Sequence, residues 1–518
     1  MLKVGAIITF LTITTILYAQ GGWVRQTGTG VQDICSAIAT DREGNVYTCS
    51  YSSSDIVLSK YLSNGTQIWS KSYAEGGRAT ITSMVVDSKK NIFITGYFWG
   101  SIGIDTFQIL SAGNYDVLLV KCDSEGNPNW VRRGGGEHQD VANGIALDSS
   151  SNIYVGGYFV GNSTFGKFQI QSHGTPQNIF YADPMVIVYN SEGSEVNVVG
   201  ASTYLQEIGT SVAVSHKKEV FLGGLQISKV PDVEVTDIYR LKFDSNLAMT
   251  WDHLGTGHRY AAARGIAVDQ NGNAYAAGYY DRVLRDETTK DIFVLKYSLE
   301  GPIEWFRGVE GKSPNDAANA IAIDNFGYIY VTGVFHDTVS FGNFTLVSTG
   351  RSDIFAVKYS PEGDVLWAKQ AGGEGDDVGM DLCTDIYGNI FVTGTFTAKA
   401  KFERDSLVSK GLEDVFVWKI GATSNVKYQS TSEVQSEIKS IFPNPSNNVI
   451  IAQVVIRNVE YIKVSAIGVF GTTSILFEGM LQGGTHDLTL DISGLRPGCY
   501  SLVLTSPHGH SISRFVVL

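Results

Sequence analysis

The sequence predicts an all-β protein, a seven-bladed β-propeller followed by a small C-terminal Ig-like β-sandwich. The composition favours strands, because 57 of the 518 residues are glycine, only 18% are charged, and Tyr and Phe are frequent. Tryptophans recur at a period typical of propeller blades. This period ends before residues 439–518, where a new alternation of apolar and polar residues begins.

The first residues indicate export. Lys3 precedes the apolar run Val4–Leu17, and Tyr18-Ala19-Gln20 follows it. This pattern predicts a secretory signal peptide, residues 1–19, cleaved after Ala19. A membrane anchor is the less favoured alternative, because the run is shorter than the ~20 apolar residues that cross a bilayer. No later segment is long and apolar enough, so we expect no transmembrane helix after cleavage.

The net charge and the cysteines exclude several classes of protein. A net charge of −13 gives no electrostatic attraction to nucleic acid, so we expect no nucleic-acid partner. The five cysteines are an odd number, with no CxxC pair and no histidine at zinc spacing, so neither a disulfide framework nor a metal site is expected. A single bridge between Cys35 and Cys49 across a hairpin stays open, beside the alternative that both are small buried apolar residues.

Tryptophan marks the repeats. It occurs at positions 23, 69, 130, 251, 305 and 367, and Val199 takes its place in the one long gap. The resulting spacings of 46 to 69 residues accommodate four short strands each and are too long for leucine-rich repeats.

Each repeat begins with two strands, A and B. Strand A alternates apolar residues and ends in aspartate, as in Ala320–Asp324, and strand B is β-branched and aromatic, as in Ile329–Gly333. Between them lies a turn of the form Asp-x-x-Gly-Asn, for example Asp41–Asn45, in which glycine supplies a positive φ and the aspartate caps the turn. Blade four departs most, with Ser215 and Lys218 at the Asp and Gly positions.

Strand C opens with aspartate in seven of seven repeats, and strand D carries the tryptophan. The aspartates are at 55, 116, 183, 237, 291, 353 and 414, and lysine follows five residues later at 60, 121, 242, 296, 358 and 419, with Val188 as the exception. We expect these residues to form hydrogen bonds and ion pairs within blades.

The order of the strands predicts how the ring closes. The first strand after the signal peptide, at Trp23, is a D strand, whereas the seventh repeat ends after its C strand. The N-terminal strand should therefore complete blade seven and pair two otherwise open edges. Tyr428 is the competing residue for this position.

The C-terminal segment is a separate domain. We expect the propeller to span residues 20–428, a linker 429–438, and the domain 439–518, with strands near 449–455, 461–466, 486–490, 500–504 and 513–518.

Two resemblances follow from these phrases. The repeated phrase, close to Ala-x-Asp-x-x-Gly-Asn-x-Tyr-Val-Thr-Gly-x-Phe, resembles bacterial seven-bladed propeller repeats of the SBBP type. The C-terminal phrases resemble the sorting domain of the type IX secretion system, through Pro443, Asn444, Pro445, Gly494, Leu495, Pro497, Gly498 and Tyr500. The second resemblance implies recognition by the export machinery of the outer membrane and a location at the cell surface or outside the cell. Such a domain is usually removed as the protein is anchored or released.

Five carboxylates are the candidate ligand-binding residues. They stand where the chain enters strand A, at Asp33, Asp140, Glu207, Asp316 and Asp377, with Ala79 and Ala261 in the other two blades. If they converge on one mouth of the central channel, they would attract a cation, a basic peptide or an amino sugar. The alternative is that each caps its glycine-rich D to A loop. Aromatic residues of the B to C loops (Phe98, Trp99, Phe180 and Tyr181) are candidates for stacking on sugars or for local packing.

These features predict a monomeric, exported, non-catalytic binding or adhesion module with no cofactor and no catalytic residues. Its ligand would be a glycan, a peptide or a cation. The alternative function is a secreted carbohydrate-active enzyme, a glycosidase or lyase, that uses two carboxylates of the acidic ring.

Overall fold

The structure is a computed structural model that divides into two compact units, residues 1–422 and 423–518. It describes residues 22–517 except 53–54, 74–77, 174–180, 202–204, 231–232, 255–259, 285–286, 299–300, 310, 312, 314, 421–435, 445, 447, 457–459, 469–472 and 507–508. The predicted signal peptide and Tyr428 therefore lie outside the described residues. The all-β prediction is confirmed, since every regular element described is a strand.

The described part of the first unit contains seven four-stranded antiparallel sheets, here numbered 1 to 7, each in the order A-B-C-D. Sheet 1 consists of Asp33–Thr40, Val46–Ser52, Asp55–Tyr61 and Gln67–Tyr73; sheet 2 of Ala79–Val86, Ile92–Phe98, Asp116–Cys122 and Pro128–Gly136. Sheet 3 consists of Asp140–Leu147, Ile153–Val160, Ala182–Tyr189 and Glu195–Gly200; sheet 4 of Gln206–Val214, Val220–Val230, Val233–Phe243 and Met249–Leu254. Sheet 5 consists of Ala261–Val268, Ala274–Leu284, Glu287–Tyr297 and Ile303–Val309; sheet 6 of Ala317–Ile323, Ile329–Phe335, Asp353–Tyr359 and Val365–Gly373. Sheet 7 consists of Val378–Thr384, Ile390–Phe396, Asp414–Ile420 and the N-terminal Trp23–Thr27.

Short hairpins fill the B to C connections of four sheets. They are Ser101–Ile104 with Phe107–Leu110, Asn162–Phe165 with Phe168–Gln171, Thr338–Phe341 with Phe344–Val347, and Lys399–Phe402 with Asp405–Val408. The hairpin of sheet 3 also pairs with strand D of sheet 2, at Gly135–Thr164 and Gly136–Ser163. In the same way, the hairpin of sheet 7 pairs with strand D of sheet 6. The hairpins of sheets 3 and 7 therefore each cover the boundary between their own sheet and the preceding one.

The A strands form a closed ring. Each contacts the A strand of the next sheet, and that of sheet 7 contacts that of sheet 1. Every A strand also contains one β-bulge residue that has no partner in strand B. These seven residues line a central channel of about 400 Å³: Ser36, Thr82, Asn143, Thr210, Arg264, Asn319 and Met380.

The N-terminal strand occupies the expected place in sheet 7. Trp23–Thr27 pairs antiparallel with strand C of this sheet, with Trp23 opposite Lys419 and Thr27 opposite Val415. The Trp23 side chain is buried, and its ring centroid lies 6.0 Å from that of Phe391. Its indole N–H donates to the carbonyl of Ser63 in sheet 1 at 3.0 Å. One strand thus contributes both to the edge of sheet 7 and to the contact between sheets 7 and 1.

The lysines of strand C meet the expectation of pairing within a blade only in part. Lys242 pairs with Glu219 and Lys296 with Glu304 of its own sheet, both at 2.8 Å. Lys60, Lys121 and Lys419 instead connect neighbouring sheets. Lys60 donates to the carbonyl of Ser124 at 3.1 Å and lies 5.4 Å from the ring centroid of Tyr47. Lys121 likewise donates to Ser191 O at 2.9 Å. The reason is geometric: the aspartate and the lysine stand at opposite ends of the strand, and the C to D turn of the next sheet is the acceptor nearest to the ammonium.

The aspartate of the A to B turn is a buried cap. Oδ1 of Asp41 accepts the backbone N–H groups of Glu43 and Asn45, both at 2.9 Å, and Oδ2 accepts the Asn45 amide at 2.8 Å. Gly44 has φ of 78°. In sheet 4, Ser215 accepts only the Glu219 N–H, at 3.1 Å, and Lys218 adopts φ of 63°. The same turn therefore forms there with weaker capping.

We expect Asp41→Ala to lower the free energy of unfolding by about 2 kcal/mol, because four hydrogen bonds to a buried carboxylate are lost, the fourth from the Tyr47 hydroxyl at 3.2 Å. Ser215→Ala is the matched control, with an expected loss of less than about 1 kcal/mol. Urea unfolding followed by tryptophan fluorescence measures both, and equal losses would contradict the capping argument.

The four cysteines whose side chains are described are free thiols: Cys35, Cys49, Cys122 and Cys383. Cys35 and Cys49 are fully buried, and Cys35 donates to the backbone carbonyl of Cys49 at 3.3 Å. Burial raises the pKa of the Cys35 thiol to about 12, so it is protonated at neutral pH.

The second unit consists of two antiparallel sheets around one apolar core. One sheet has Glu437–Phe442, Val449–Ile456 and Gly484–Asp491; the other has Thr473–Leu481, Glu460–Gly468, Gly498–Ser506 and Gly509–Val517, in spatial order. Apolar residues of both sheets, such as Ile450, Val464, Leu490 and Leu502, share the core. The first strand begins at Glu437, inside the expected linker, and sequence analysis missed this strand and Thr473–Leu481.

The sorting-motif residues stabilise the ends of these strands. The Asn444 side chain accepts the N–H of Val516 at 2.9 Å, and the Tyr500 hydroxyl donates to the carbonyl of Arg496 at 2.8 Å. The Leu495 N–H donates to Ile492 O at 2.9 Å in the turn that contains Gly494. Pro497 and Gly498 lie at the start of the strand Gly498–Ser506, whereas Pro445 lies outside the described residues.

Candidate functional site

The five predicted carboxylates are buried at the boundaries between sheets. Asp33 is 3% exposed and the other four are completely buried, and none of them lines the channel. The exposed acidic mouth that we expected is therefore not what the structure shows. Each aspartate of this set accepts backbone N–H groups, as when Asp377 binds Gly373 N at 2.7 Å and Thr397 N at 3.1 Å. The capping alternative describes their geometry, and Glu207 differs in accepting the Gln226 side chain at 2.9 Å.

Burial makes three of these carboxyls weak acids. Desolvation is the main cause, and it raises the pKa of Asp140, Asp316 and Asp377 to about 7 each. The aspartate that opens strand C of the preceding sheet adds to the effect: Asp116 beside Asp140, and Asp353 beside Asp377. These residues are suited to holding protons inside the fold and are not exposed to a dissolved ligand.

Glycine separates the two carboxyls of each pair. A methyl group on Gly135 would lie 2.8 Å from Oδ2 of Asp140 and 3.0 Å from Oδ1 of Asp116. A methyl group on Gly372 would lie 3.0 Å from Oδ2 of Asp377 and 2.7 Å from Oδ1 of Asp353. Any side chain at either position would displace a buried carboxyl, which explains why the D to A loops are rich in glycine.

A cleft of about 1260 Å³ lies between sheets 2 and 3. The end of strand D of sheet 2, Gly134–Gly136, and the hairpin Asn162–Gln171 of sheet 3 form two of its sides. Polar side chains dominate the lining: Arg133, Glu137, His138, Asn162, Thr164, Gln171, Ser172 and His173. Among these, Glu137 is the one carboxylate. Most of the groups that face the cleft can donate hydrogen bonds.

Buried aspartates hold two of the side chains that line this cleft. Arg133 Nη1 lies 3.1 Å from Oδ2 of Asp116, and the arginine side chain is 46% exposed. His173 Nδ1 lies 3.1 Å from Oδ2 of Asp183, and the histidine side chain is 62% exposed. The backbone N–H of His173 donates to the same oxygen at 2.7 Å. Each side chain is therefore anchored by an aspartate while its exposed part lines the cleft.

Three aromatic side chains cluster at the B to C connection of sheet 2. Trp99 is 38% exposed, and its ring centroid lies 5.6 Å from that of Tyr115 in an edge-to-face contact. Tyr97 packs against Tyr115 at 5.1 Å. The loop that carries Tyr115 also supplies Ala112 to the cleft lining. Of the predicted aromatic residues, Phe98 is completely buried and Phe180 lies outside the described residues.

A second copy of this arrangement occurs 237 positions later, between sheets 6 and 7. There Gln370 replaces Arg133, Gly375 replaces His138, and Lys410 replaces His173. Gln370 binds the backbone of Val347 through both amide atoms, at 2.9 and 3.2 Å. Lys369 pairs with Glu403, which stands where sheet 3 has Gly166. In the second copy, these side chains thus bind neighbouring groups of the protein. In the first copy, the side chains line an open cleft.

Sequence reasoning did not select Arg133, His138 or His173. A blade-by-blade comparison could have found them, because these three positions differ between two copies of constant spacing. The cleft itself depends on the pairing of the sheet 3 hairpin with sheet 2, which no local sequence pattern encodes.

Comparison with known families bears on both units. The Beta-propeller repeat family, SBBP, matches residues 22–56 and 129–158. The Secretion system C-terminal sorting domain family matches residues 440–518. The chain therefore carries SBBP propeller repeats and ends in a secretion-system sorting domain. A sorting domain of this kind implies secretion to the cell surface or to the outside of the cell.

The SBBP repeats also relate the chain to parts of longer proteins. An uncharacterized WD repeat-containing protein of Acanthamoeba polyphaga mimivirus is 24% identical over 382 residues, which are 66% of this chain and 26% of that protein. The regulatory protein FlaEY of Caulobacter vibrioides is 28% identical over 108 residues, 20% of this chain and 11% of that protein. The chain thus spans about a quarter or less of the length of these relatives.

Solved structures similar to this chain include two enzymes. An ulvan lyase, a polysaccharide lyase solved with a bound GlcA–Rha3S unit, has 10% identity and a TM-score of 0.43 over 77% of this chain and 96% of its own. A gluconolactonase from Xanthomonas campestris has 8% identity and a TM-score of 0.33 over 77% of this chain and 89% of its own. At these scores the similarity says nothing of activity.

Two further observations concern the described residues alone. These residues contain no helix that is long and apolar enough to cross a membrane. No three of their His, Cys, Asp and Glu side chains are grouped closely enough to hold a metal ion.

Proposed function

We propose that this protein is an exported, monomeric, non-catalytic binding or adhesion module. In this proposal residues 20–428 form the ligand-binding propeller, and residues 439–518 form the domain that the type IX export machinery recognises. The sorting-domain match supports export. The burial of the five carboxylates supports a ligand site elsewhere than the predicted acidic mouth.

The cleft between sheets 2 and 3 carries the proposal. It combines a floor of backbone, Gly134–Gly136, with anchored side chains that face outward, such as Arg133 and His173. Binding surfaces built on rigid elements hold their donors in place before the ligand arrives, which lowers the entropic cost of binding. The second copy between sheets 6 and 7 lacks these side chains, and this asymmetry favours a role beyond folding.

Thr164→Trp tests the cleft as the ligand site. Thr164 is exposed on the hairpin, so a large side chain there would fill the cleft without entering the core. Lys401→Trp is the matched control, because Lys401 is also exposed and occupies the same position in sheet 7. We expect Thr164→Trp to abolish binding in a screen of surface polysaccharides and peptides, and Lys401→Trp to retain it. Equal binding by the two variants would refute the cleft as the site.

One observation favours a second candidate function, a secreted carbohydrate-active enzyme. His173 pairs through Nδ1 with the buried Asp183, the arrangement that orients an imidazole for proton transfer. Arg133 in the same cleft could neutralise a substrate carboxylate. The earlier form of this hypothesis, which used the acidic ring, lacks an exposed carboxylate at Asp140 or Asp377.

Turnover distinguishes the two functions. The enzyme hypothesis predicts that the protein releases new reducing ends from a polysaccharide. The rate of this release should be at least ~100-fold lower in His173→Ala. In sheet 2, Ala112 occupies the position that His173 has in sheet 3. Alanine therefore fits this position, and His173→Ala is expected to fold. Binding without release of products by the unmodified protein would support the non-catalytic function.

A further inference from the structure

We infer that the ligand of the cleft is an anionic saccharide, one whose carboxylate or sulfate groups are bound by Arg133 and the two histidines while a sugar ring stacks on Trp99. This inference rests on the proposed binding function and specifies its ligand class. It follows from the kinds of side chain that line the cleft, from their anchoring and from the aromatic cluster beside it.

Arg133 is positioned to bind an oxyanion. A guanidinium has five N–H donors in a planar fork that matches carboxylate and sulfate geometry. Asp116 occupies Nη1, at 3.1 Å, and nearly half of the side chain is exposed in the cleft. His138 and His173 add two imidazoles to the same lining, and Glu137 is the one carboxylate among the lining residues.

The remaining lining suits a hydroxyl-rich ligand. Asn162, Gln171, Thr164 and Ser172 present amides and hydroxyls, which can both donate and accept hydrogen bonds. Trp99, held edge-to-face by Tyr115, offers a partly exposed ring on the connection that also supplies Ala112 to the lining. Sugar rings combine polar edges with apolar faces, so a site for them needs both elements. A simple cation would not use the hydrogen-bond donors of the lining.

The net charge of the whole protein makes the inference specific to one site. At −13, the surface repels polyanions in general, so non-specific binding is disfavoured. An anionic saccharide should therefore bind with a stoichiometry of one per chain, through the local cations of the cleft.

The experiment is isothermal titration of the exported chain with three hexasaccharides: an oligo-galacturonate, a sulfated galactan and a neutral galactan. We expect at least one anionic oligomer to bind one per chain and at least tenfold more tightly than the neutral one. The stronger of the two anionic ligands identifies carboxylate or sulfate as the recognised group. We expect Trp99→Ala to weaken binding of the preferred anionic oligomer by about tenfold or more. If the neutral oligomer binds the unmodified protein measurably, it is titrated against Trp99→Ala as well.

Arg133→Gln isolates the charge. Gln370 occupies this position in sheet 6, so glutamine fits the fold there. We expect Arg133→Gln to weaken binding of the anionic oligomer at least tenfold, and to weaken any binding of the neutral oligomer by a smaller factor. Gln370→Arg is the control and should change neither. Neutral binding as tight as anionic binding, with Thr164→Trp abolishing both, would overturn the anionic ligand class and leave the proposed function intact. Unchanged binding in Thr164→Trp would overturn the proposed function itself.

Discussion

Removal of residues 22–27 is expected to destabilise the propeller more than any single substitution in a blade. This strand supplies the outer edge of sheet 7 and buries Trp23 and Val24. Loss of each large buried side chain costs about 3 kcal/mol or more, so the total should exceed ~5 kcal/mol. It would also expose the backbone edge of the strand that contains the buried Trp418.

The same strand carries the contacts that close the ring. Arg25 donates to Gly65 O at 2.7 Å and Lys419 to Ser63 O at 3.1 Å. Between sheets 2 and 3, Arg132 and Lys121 make the equivalent bonds to Gly193 and Ser191. The closing boundary therefore has the same hydrogen bonds as an internal one, although it joins the two ends of the repeat array.

The expected result is aggregation on size-exclusion chromatography and loss of a cooperative thermal transition. Trp69→Ala is the control, because it removes a partly buried tryptophan of sheet 1 but leaves all seven sheets with four strands. It should lower the midpoint of the transition while the protein stays monomeric. If the truncated chain unfolds cooperatively at the temperature of the control, closure by this strand contributes little to stability.

The sequence was informative wherever a residue has the same role in every repeat. The strand A alternation, the Asp41-type turn and the Trp23 strand were all predicted, because each depends on local pattern and on strand order. The aspartates of strand C were recognised as structural, and the predicted ion pairs within a blade form at Lys242 and Lys296. Lys60 and Lys121 instead bind carbonyls of the next sheet, and the sequence of a single blade contains no information about those partners.

The candidate site was predicted less well, because burial decides it. Asp33 and Asp377 were correctly placed at the start of strand A, but the glycine-rich loops fold over their side chains. The residues that do face the channel, such as Asn143 and Asn319, are β-bulge positions, and a bulge reverses the side-chain alternation that sequence analysis assumes.

Four buried carboxyls make the propeller less stable as the pH rises. Burial raises the pKa of Asp140, Asp316, Asp377 and Asp381 from 3.8 to about 7. Between these two values the folded protein binds more protons than the unfolded chain does, so stability falls with increasing pH. The contribution is fully present below pH ~3.8 and is lost as the pH rises through ~7. At about 1.4 kcal/mol per pKa unit, a rise from 3.8 to about 7 corresponds to a loss on the order of 4 kcal/mol at each carboxyl.

Asp316→Asn tests this dependence at one site. Oδ1 of Asp316 accepts the His336 N–H at 2.8 Å, and Oδ2 is buried without a hydrogen-bond partner. An asparagine keeps the first contact and carries no charge, so it imitates the protonated carboxyl. We expect it to raise the free energy of unfolding by about 1–3 kcal/mol more at pH 8 than at pH 5, which urea titrations at the two pH values measure.

Asp148→Asn is the control with the opposite sign. Burial opposes ionisation there, but hydrogen bonds outweigh it: Asn152 and Ser150 donate backbone N–H groups at 2.9 and 2.8 Å, and Lys218 lies 3.2 Å away. The pKa of Asp148 is therefore lowered, and the carboxylate is ionised in both states across pH 5 to 8. Its substitution should destabilise the propeller equally at both pH values. A pH-independent effect of Asp316→Asn, parallel to that of Asp148→Asn, would contradict this account. It would mean that the buried carboxyls at the sheet boundaries are ionised in the folded protein. Hydrogen bonding, not desolvation, would then determine their pKa values.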